Sequence, residues 1–85
     1  MAHERVTIHS ESIRLDGLLK FAGATGTGGV AKLLIQAGRV KVNGVRELHR
    51  GRNLLAGDVI ELIDEDGRSL KSWTIERREE PGRAG

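Results

Sequence analysis

Asn43-Gly44 and the residues on either side of it constrain this 85-residue chain more than any other stretch. Asn and Gly accept successive left-handed conformations with little strain, and that pair is what a two-residue type I′ turn requires. Residues 39–42 and 45–48 are therefore expected to fold back on each other as a hairpin. Just before it, Gly38 closes a helix expected to begin near Gly28 or Gly29, with Thr27 as its N-cap. Val30, Leu33, Leu34 and Ala37 are read as that helix's apolar stripe. The segment from Ala31 to Gly44 thus carries a helix, its stop and a reversal. Along it Lys32, Arg39 and Lys41 alternate with Leu33, Leu34, Val40 and Val42, so one face is expected to be buried and the other cationic.

The remaining elements follow from the same local rules. Residues 5–9 alternate and are β-branched, as expected of a short edge strand. Leu15, Leu18, Leu19 and Ala22 form the stripe of a first helix, with Asp16 in its first turn, where a carboxylate meets free N–H groups. Residues 23–29 hold too much glycine to stay helical and form the connection between the two helices. Residues 49–55 read as a basic loop and 56–58 as a turn. Two strands, 59–63 and 69–75, are joined by the acidic turn 64–67. The second of them sets Leu70, Ser72 and Thr74 on one face and Lys71, Trp73 and Ile75 on the other. Phe21 and Trp73 are the only large aromatics, and both are expected to serve packing. A charged tail follows from Glu76. The architecture expected is α+β, a two-helix hairpin on a small, mainly antiparallel sheet. It is one domain over 1–78, with a loose C-terminal tail over 79–85.

Charge narrows the function classes. Between Arg14 and Arg52 lie eight Lys or Arg residues (Arg14, Lys20, Lys32, Arg39, Lys41, Arg46, Arg50, Arg52) against Asp16 and Glu47 alone. Residues 53–85 are net acidic. A basic middle with acidic flanks implies one positive face that attracts a phosphate backbone. There is no cysteine, so disulfides and thiolate metal sites are excluded. His3, His9 and His49 lack metal-ligand spacing, and no metal or cofactor is expected. No Ser-His-Asp, Cys-His or paired-carboxylate arrangement can be assembled, so the chain is expected not to be an enzyme and to have no small-molecule substrate. Gly26-Thr27-Gly28-Gly29 lacks the Lys that a nucleotide-binding loop carries after its last glycine; its glycines can still offer backbone N–H groups to an RNA phosphate. With no apolar run of spanning length and no signal-peptide layout, a cytoplasmic, membrane-free monomer is expected.

Three pieces taken together resemble a known family: Arg14-Leu15-Asp16-x-x-Leu19-Lys20, Ala31-Lys32-x-x-Ile35-x-x-Gly38-x-Val40-x-Val42-Asn43-Gly44, and Gly57-Asp58-x-Ile60. Their order and spacing resemble the S-four RNA-binding domain (the alpha-L RNA-binding motif), named for a small-subunit ribosomal protein, over roughly residues 13–62. Many members carry Ser-Arg at the start of the second helix. Thr27-Gly28-Gly29 stands there instead, as in a branch of small, free-standing bacterial members. Arg14-Leu15-Asp16 also resembles the aspartate motif of pseudouridine synthases, but three residues match by chance easily and the chain has no room for their catalytic domain.

The resemblance implies non-catalytic binding of structured RNA, ribosomal RNA or a ribosome-associated RNA above all. It implies primary contacts at Arg14, Lys32, Arg39 and Lys41. Lys20, Thr27, Gly28, Gly29, Arg46, His49, Arg50 and Arg52 extend the expected RNA-binding set. The alternative is a protein-interaction module that uses the acidic C-terminal half or an edge strand.

Overall fold

The computed structural model describes residues 2–26 and 28–78. In chain order the elements are β1 (Ala2–Ile8), β2 (Ile13–Arg14), α1 (Leu15–Phe21), α2 (Gly28–Gln36), β3 (Val40–Val42), β4 (Val45–Arg46), β5 (Asn53–Leu54), β6 (Val59–Ile63) and β7 (Ser69–Arg77). Five strands form one sheet in the order β1-β7-β6-β3-β4, and β2 pairs with β5 in a second, two-stranded ladder. Every contact in the large sheet is antiparallel except β1 on β7. The α+β architecture and the mainly antiparallel sheet agree with the expectation from sequence.

Both helices end for the same stereochemical reason. At α1, Gly23 adopts φ 76° and its N–H reaches the Lys20 carbonyl, while the Ala24 N–H reaches Leu19. At α2, Gly38 adopts φ 76°, its N–H bonds to Ile35, and the Arg39 N–H bonds to Leu34. The paired bonds and the left-handed residue make each end a Schellman motif, which satisfies carbonyls that the helix would otherwise leave open. The hairpin behaves the same way. Asn43 (φ 52°) and Gly44 (φ 84°) are both left-handed, as a type I′ turn demands.

One core joins the helices to the sheet. Leu15, Leu18 and Leu19 of α1 and Ala31 and Ile35 of α2 are fully buried against Val40, Val42, Ile60, Trp73 and Ile75 of the sheet's inner face. The opposite face is polar. Cross-strand neighbours share a face, so the register places Arg46, Lys41, Glu61, Ser72 and His3 in one row across all five strands. At the far end of that row the His3 ring lies 2.6 Å from the Ser72 hydroxyl and 3.0 Å from that of Thr74, tying β1 to β7.

Several expectations need correction. The buried stripe of α2 is Ala31, Leu34 and Ile35, with Val30 and Leu33 exposed. The expected stripe (Val30, Leu33, Leu34, Ala37) and the observed one both fit helical spacing, because α2 is apolar nearly all round and periodicity alone cannot choose a face. Phe21 is not a packing residue in the core: it is 67% exposed, at the C-terminal end of α1. Loop 49–55 contains β5, whose Leu54 is buried opposite Ile13. The hairpin strands are shorter than 39–48, because Glu47 and Leu48 leave the ladder after Glu47 N–H bonds to Val40. Glu76 and Arg77 are not tail: they extend β7, paired with Thr7 and Ile8 of β1. The N-cap expected at Thr27 and the tail over 79–85 lie outside the described residues.

Candidate nucleic-acid interface

Arg39, Lys41 and Arg46 are brought together by the cap and the turn just described. Arg39 is the third residue past the end of α2, and its backbone is held twice: its N–H by Leu34, its carbonyl by the Ile63 N–H at 2.9 Å. Lys41 lies two residues on, in β3, and is the direct cross-strand partner of Arg46. Arg46 in turn runs back over Gly38, where its Cδ lies 3.8 Å from the position a side-chain Cβ would take. Lys41 and Arg46 have no carboxylate within ion-pair distance among the described residues. Glu61 is the cross-strand neighbour of Lys41 on β6 but forms no ion pair with it, so both cations can still meet a ligand.

A second group forms where the loop after β4 meets the start of α1. The Leu15 and Asp16 N–H groups, free donors of a helix first turn, are taken by the carbonyls of Arg52 and Arg50 at 2.9 and 3.0 Å. That pins loop 49–52 against the helix and sets the Arg14 guanidinium over Gly51, at 3.4 Å from where a Cβ would sit. Arg14 donates to both Asp16 oxygens at 3.2 Å, while Asp16 also accepts the Gly17 N–H. Arg50 is exposed and has no acidic partner among the described residues.

Three further sequence candidates with described positions, Lys32, Gly28 and Gly29, lie on α2, and Lys20 lies on α1. Lys20 lies in the last turn of α1, roughly 9 Å along the helix from Arg14 at 1.5 Å per residue. Lys32 lies beside the buried Ala31 on α2 and is half-buried. Gly28 and Gly29 open that helix, and Thr27 lies outside the described residues.

Residues 6–69 match the family model described as S4 domain. This chain belongs to the S4 domain family, the S-four fold family of RNA-binding modules. It is also 39% identical over 57 residues to the probable ribosome maturation protein RlbA of Bacillus subtilis (strain 168), a match covering 67% of this chain and 80% of the relative.

In this S4 domain the most recognisable motif residues turn out to be joined to one another. Asn43 donates through Nδ2 to Asp58 Oδ1 at 3.0 Å and accepts the Val59 N–H through Oδ1 at 2.9 Å. The other Asp58 oxygen accepts the Leu55 N–H at 2.8 Å. Asn-Gly and Gly-Asp are thus one structural clasp that sets the hairpin against β6, and the cations between them inherit its geometry.

Sequence reasoning missed Glu47. Its carboxylate receives Arg52 Nη1 at 2.6 Å, the His49 ring at 3.2 Å and the His49 backbone N–H at 3.3 Å, and its side chain is only 14% exposed. The signal was a lone acid inside a basic run, which charge counting treats only as a subtraction. Arg52 holds the Glu47 carboxyl down to about 2 from an ordinary 4.5, against the partial burial that pushes it up and with help from His49. A carboxyl depressed on folding stabilises the folded form fully above its unfolded value and loses that contribution as pH falls toward the folded value. The clamp is therefore expected to be complete above pH 4.5 and to release between there and about 2. A carboxyl-carbon NMR titration of Glu47 should show a midpoint near 2, and Glu47→Gln should remove that segment of the pH–stability curve.

Proposed function

We propose that this S4 domain binds structured RNA without chemical turnover, with ribosomal RNA or a ribosome-assembly intermediate as its target. It acts as a soluble monomer in the cytoplasm. Arg39, Lys41 and Arg46 form the centre of the contact, Lys32 adds to it from α2, and Arg14 and Arg50 extend it past the start of α1. The observation that carries this reading is the mounting of Arg39, Lys41 and Arg46. Three cations are fixed on a helix cap and a type I′ hairpin, with two of them free of any internal carboxylate among the described residues. Folded RNA is read largely by shape and phosphate position, which a rigid basic surface of this kind supplies. Membership of the S4 family and likeness to a probable ribosome maturation protein support the choice of target.

The test is titration of folded ribosomal RNA fragments across a salt series, beside an Arg39→Glu/Lys41→Glu variant shown by circular dichroism to fold. Wild-type affinity should fall steeply with salt, because each neutralised phosphate releases counterions. Two lost contacts should flatten the log–log slope by about 2. They should also weaken low-salt binding by at least about tenfold, or 1.4 kcal/mol. Binding that persists in the folded variant removes the hairpin from the interface. RNA-independent capture of a protein partner that survives the charge reversal favours an interaction module instead, one that uses the acidic C-terminal half or an edge strand such as β4, where Val45 and the following Leu48 are exposed.

A further inference from the structure

Three arginines of the basic surface are each paired with a carboxylate of this chain, and the pairs differ in kind. Asp16 and Glu47 are 19% and 14% exposed and each accepts a further backbone hydrogen bond, Asp16 in the first turn of α1 and Glu47 in the segment after β4. Glu65, opposite Arg39 at 3.3 Å, is 84% exposed. It comes from the acidic half of the sequence, yet its position is built into the fold. Ile63 N–H is bonded to the Arg39 carbonyl, and Asp64 closes the following turn by accepting the Asp66 and Arg68 N–H groups, each at 2.9 Å. Gly67, at φ 84°, completes that turn. That turn, joined to the Arg39 backbone through Ile63, places an otherwise free carboxylate beside the Arg39 guanidinium, in a single Nη2–Oε1 contact.

We propose that Glu65 is an internal stand-in for one RNA phosphate, occupying Arg39 in the free protein and displaced when RNA binds. The proposal rests on the RNA-binding reading of the Arg39–Lys41–Arg46 surface and adds a specificity device to it. A carboxylate and a phosphodiester offer a guanidinium the same paired oxygen acceptors. An exposed pair of this kind is weak, at about 0.2–1 kcal/mol, so it can be exchanged. An isolated anion must displace Glu65 for one contact. A folded RNA that also places phosphates at Lys41 and Arg46 displaces it with the support of two cations that form no ion pair of their own among the described residues, although Glu61 is the cross-strand neighbour of Lys41. Glu65 thereby favours polyanions of the right shape over any polyanion.

The experiment is a double-mutant cycle of Glu65→Gln and Arg39→Gln, read by affinity for a folded ribosomal RNA fragment. In parallel, inorganic phosphate is titrated against the Arg39 Nε–H NMR resonance. Glu65→Gln is expected to tighten RNA binding about 1.5- to 5-fold, the ion-pair range converted to affinity. It should do so only when Arg39 is present, and it should also lower the phosphate concentration that shifts the Arg39 signal. An equal gain in the Arg39→Gln background reduces Glu65 to long-range repulsion and overturns the proposal, as does no gain at all. Should the wild type fail to bind RNA at low salt, the functional reading fails, and the phosphate titration still decides whether Glu65 occupies Arg39: an unchanged midpoint in Glu65→Gln overturns it.

Discussion

Replacing Trp73 with alanine is expected to cost about 3–5 kcal/mol, the range for deleting a large buried aromatic. Trp73 is fully buried in β7, opposite Ile60 of β6 and Glu4 of β1, so it joins the parallel and antiparallel halves of the sheet. A domain of this size has roughly 4–13 kcal/mol of stability at 0.05–0.15 kcal/mol per residue, so the loss takes much of the total. The Lys71 ammonium lies 5.6 Å from the ring centroid and 2.8 Å from Glu4, and the pairing holds the Glu4 carboxyl below its ordinary range. Nε1 of the buried indole meets no hydrogen-bond partner among the described residues. An unpaired buried N–H is itself destabilising, so Trp73→Phe, which removes it along with some volume, should cost far less than alanine. Denaturant unfolding followed by circular dichroism measures both, since the probe must not be the only tryptophan. Equal losses for alanine and phenylalanine would assign the role to the indole N–H and not to packing.

What the chain disclosed in advance follows from the range of the forces involved. Gly23, Gly38 and Asn43-Gly44 announce their conformations because positive φ is a local steric matter, and each sits where the structure needs it. The leucines of α1 announce their face because polar residues separate them. On α2, Val30, Ala31, Leu33, Leu34 and Ile35 supply two overlapping stripes, and only what α2 packs against, α1 and the common core, decides between them. The two-residue ladder of Ile13-Arg14 on Asn53-Leu54 spans about half the chain and has no local periodicity to reveal it. The basic face was legible as a count of charges but not as a distribution of free charge. Tertiary structure brings Glu65 onto Arg39, and the local fold of the segment after β4 brings Glu47 onto Arg52 and His49, while Lys41, Arg46 and Arg50 form no ion pair among the described residues. Charge summed along a sequence treats these residues alike, whereas a phosphate does not.

Asn43→Ala is the second large effect, and it separates what the family motif builds from what the surface binds. Alanine loses the bonds to Asp58 and Val59 and must hold a left-handed backbone that its Cβ disfavours. Two modest hydrogen bonds plus that strain amount to about 2–4 kcal/mol. Asn43→Gly keeps the turn and loses only the bonds, so about 1–2 kcal/mol is expected there. Combining either with Asp58→Ala should cost less than the sum of the single changes, since both remove the same contact. Simple additivity in urea unfolding would show that the clasp contributes nothing as a pair. At a temperature where Asn43→Gly remains folded, its low-salt RNA affinity should fall while its salt slope stays close to the wild type's. The substitution removes no cation, and it loosens only the register that holds Lys41 opposite Arg46. A flattened slope would instead place Asn43 among the phosphate contacts, and the motif would then bind RNA as well as shape the hairpin.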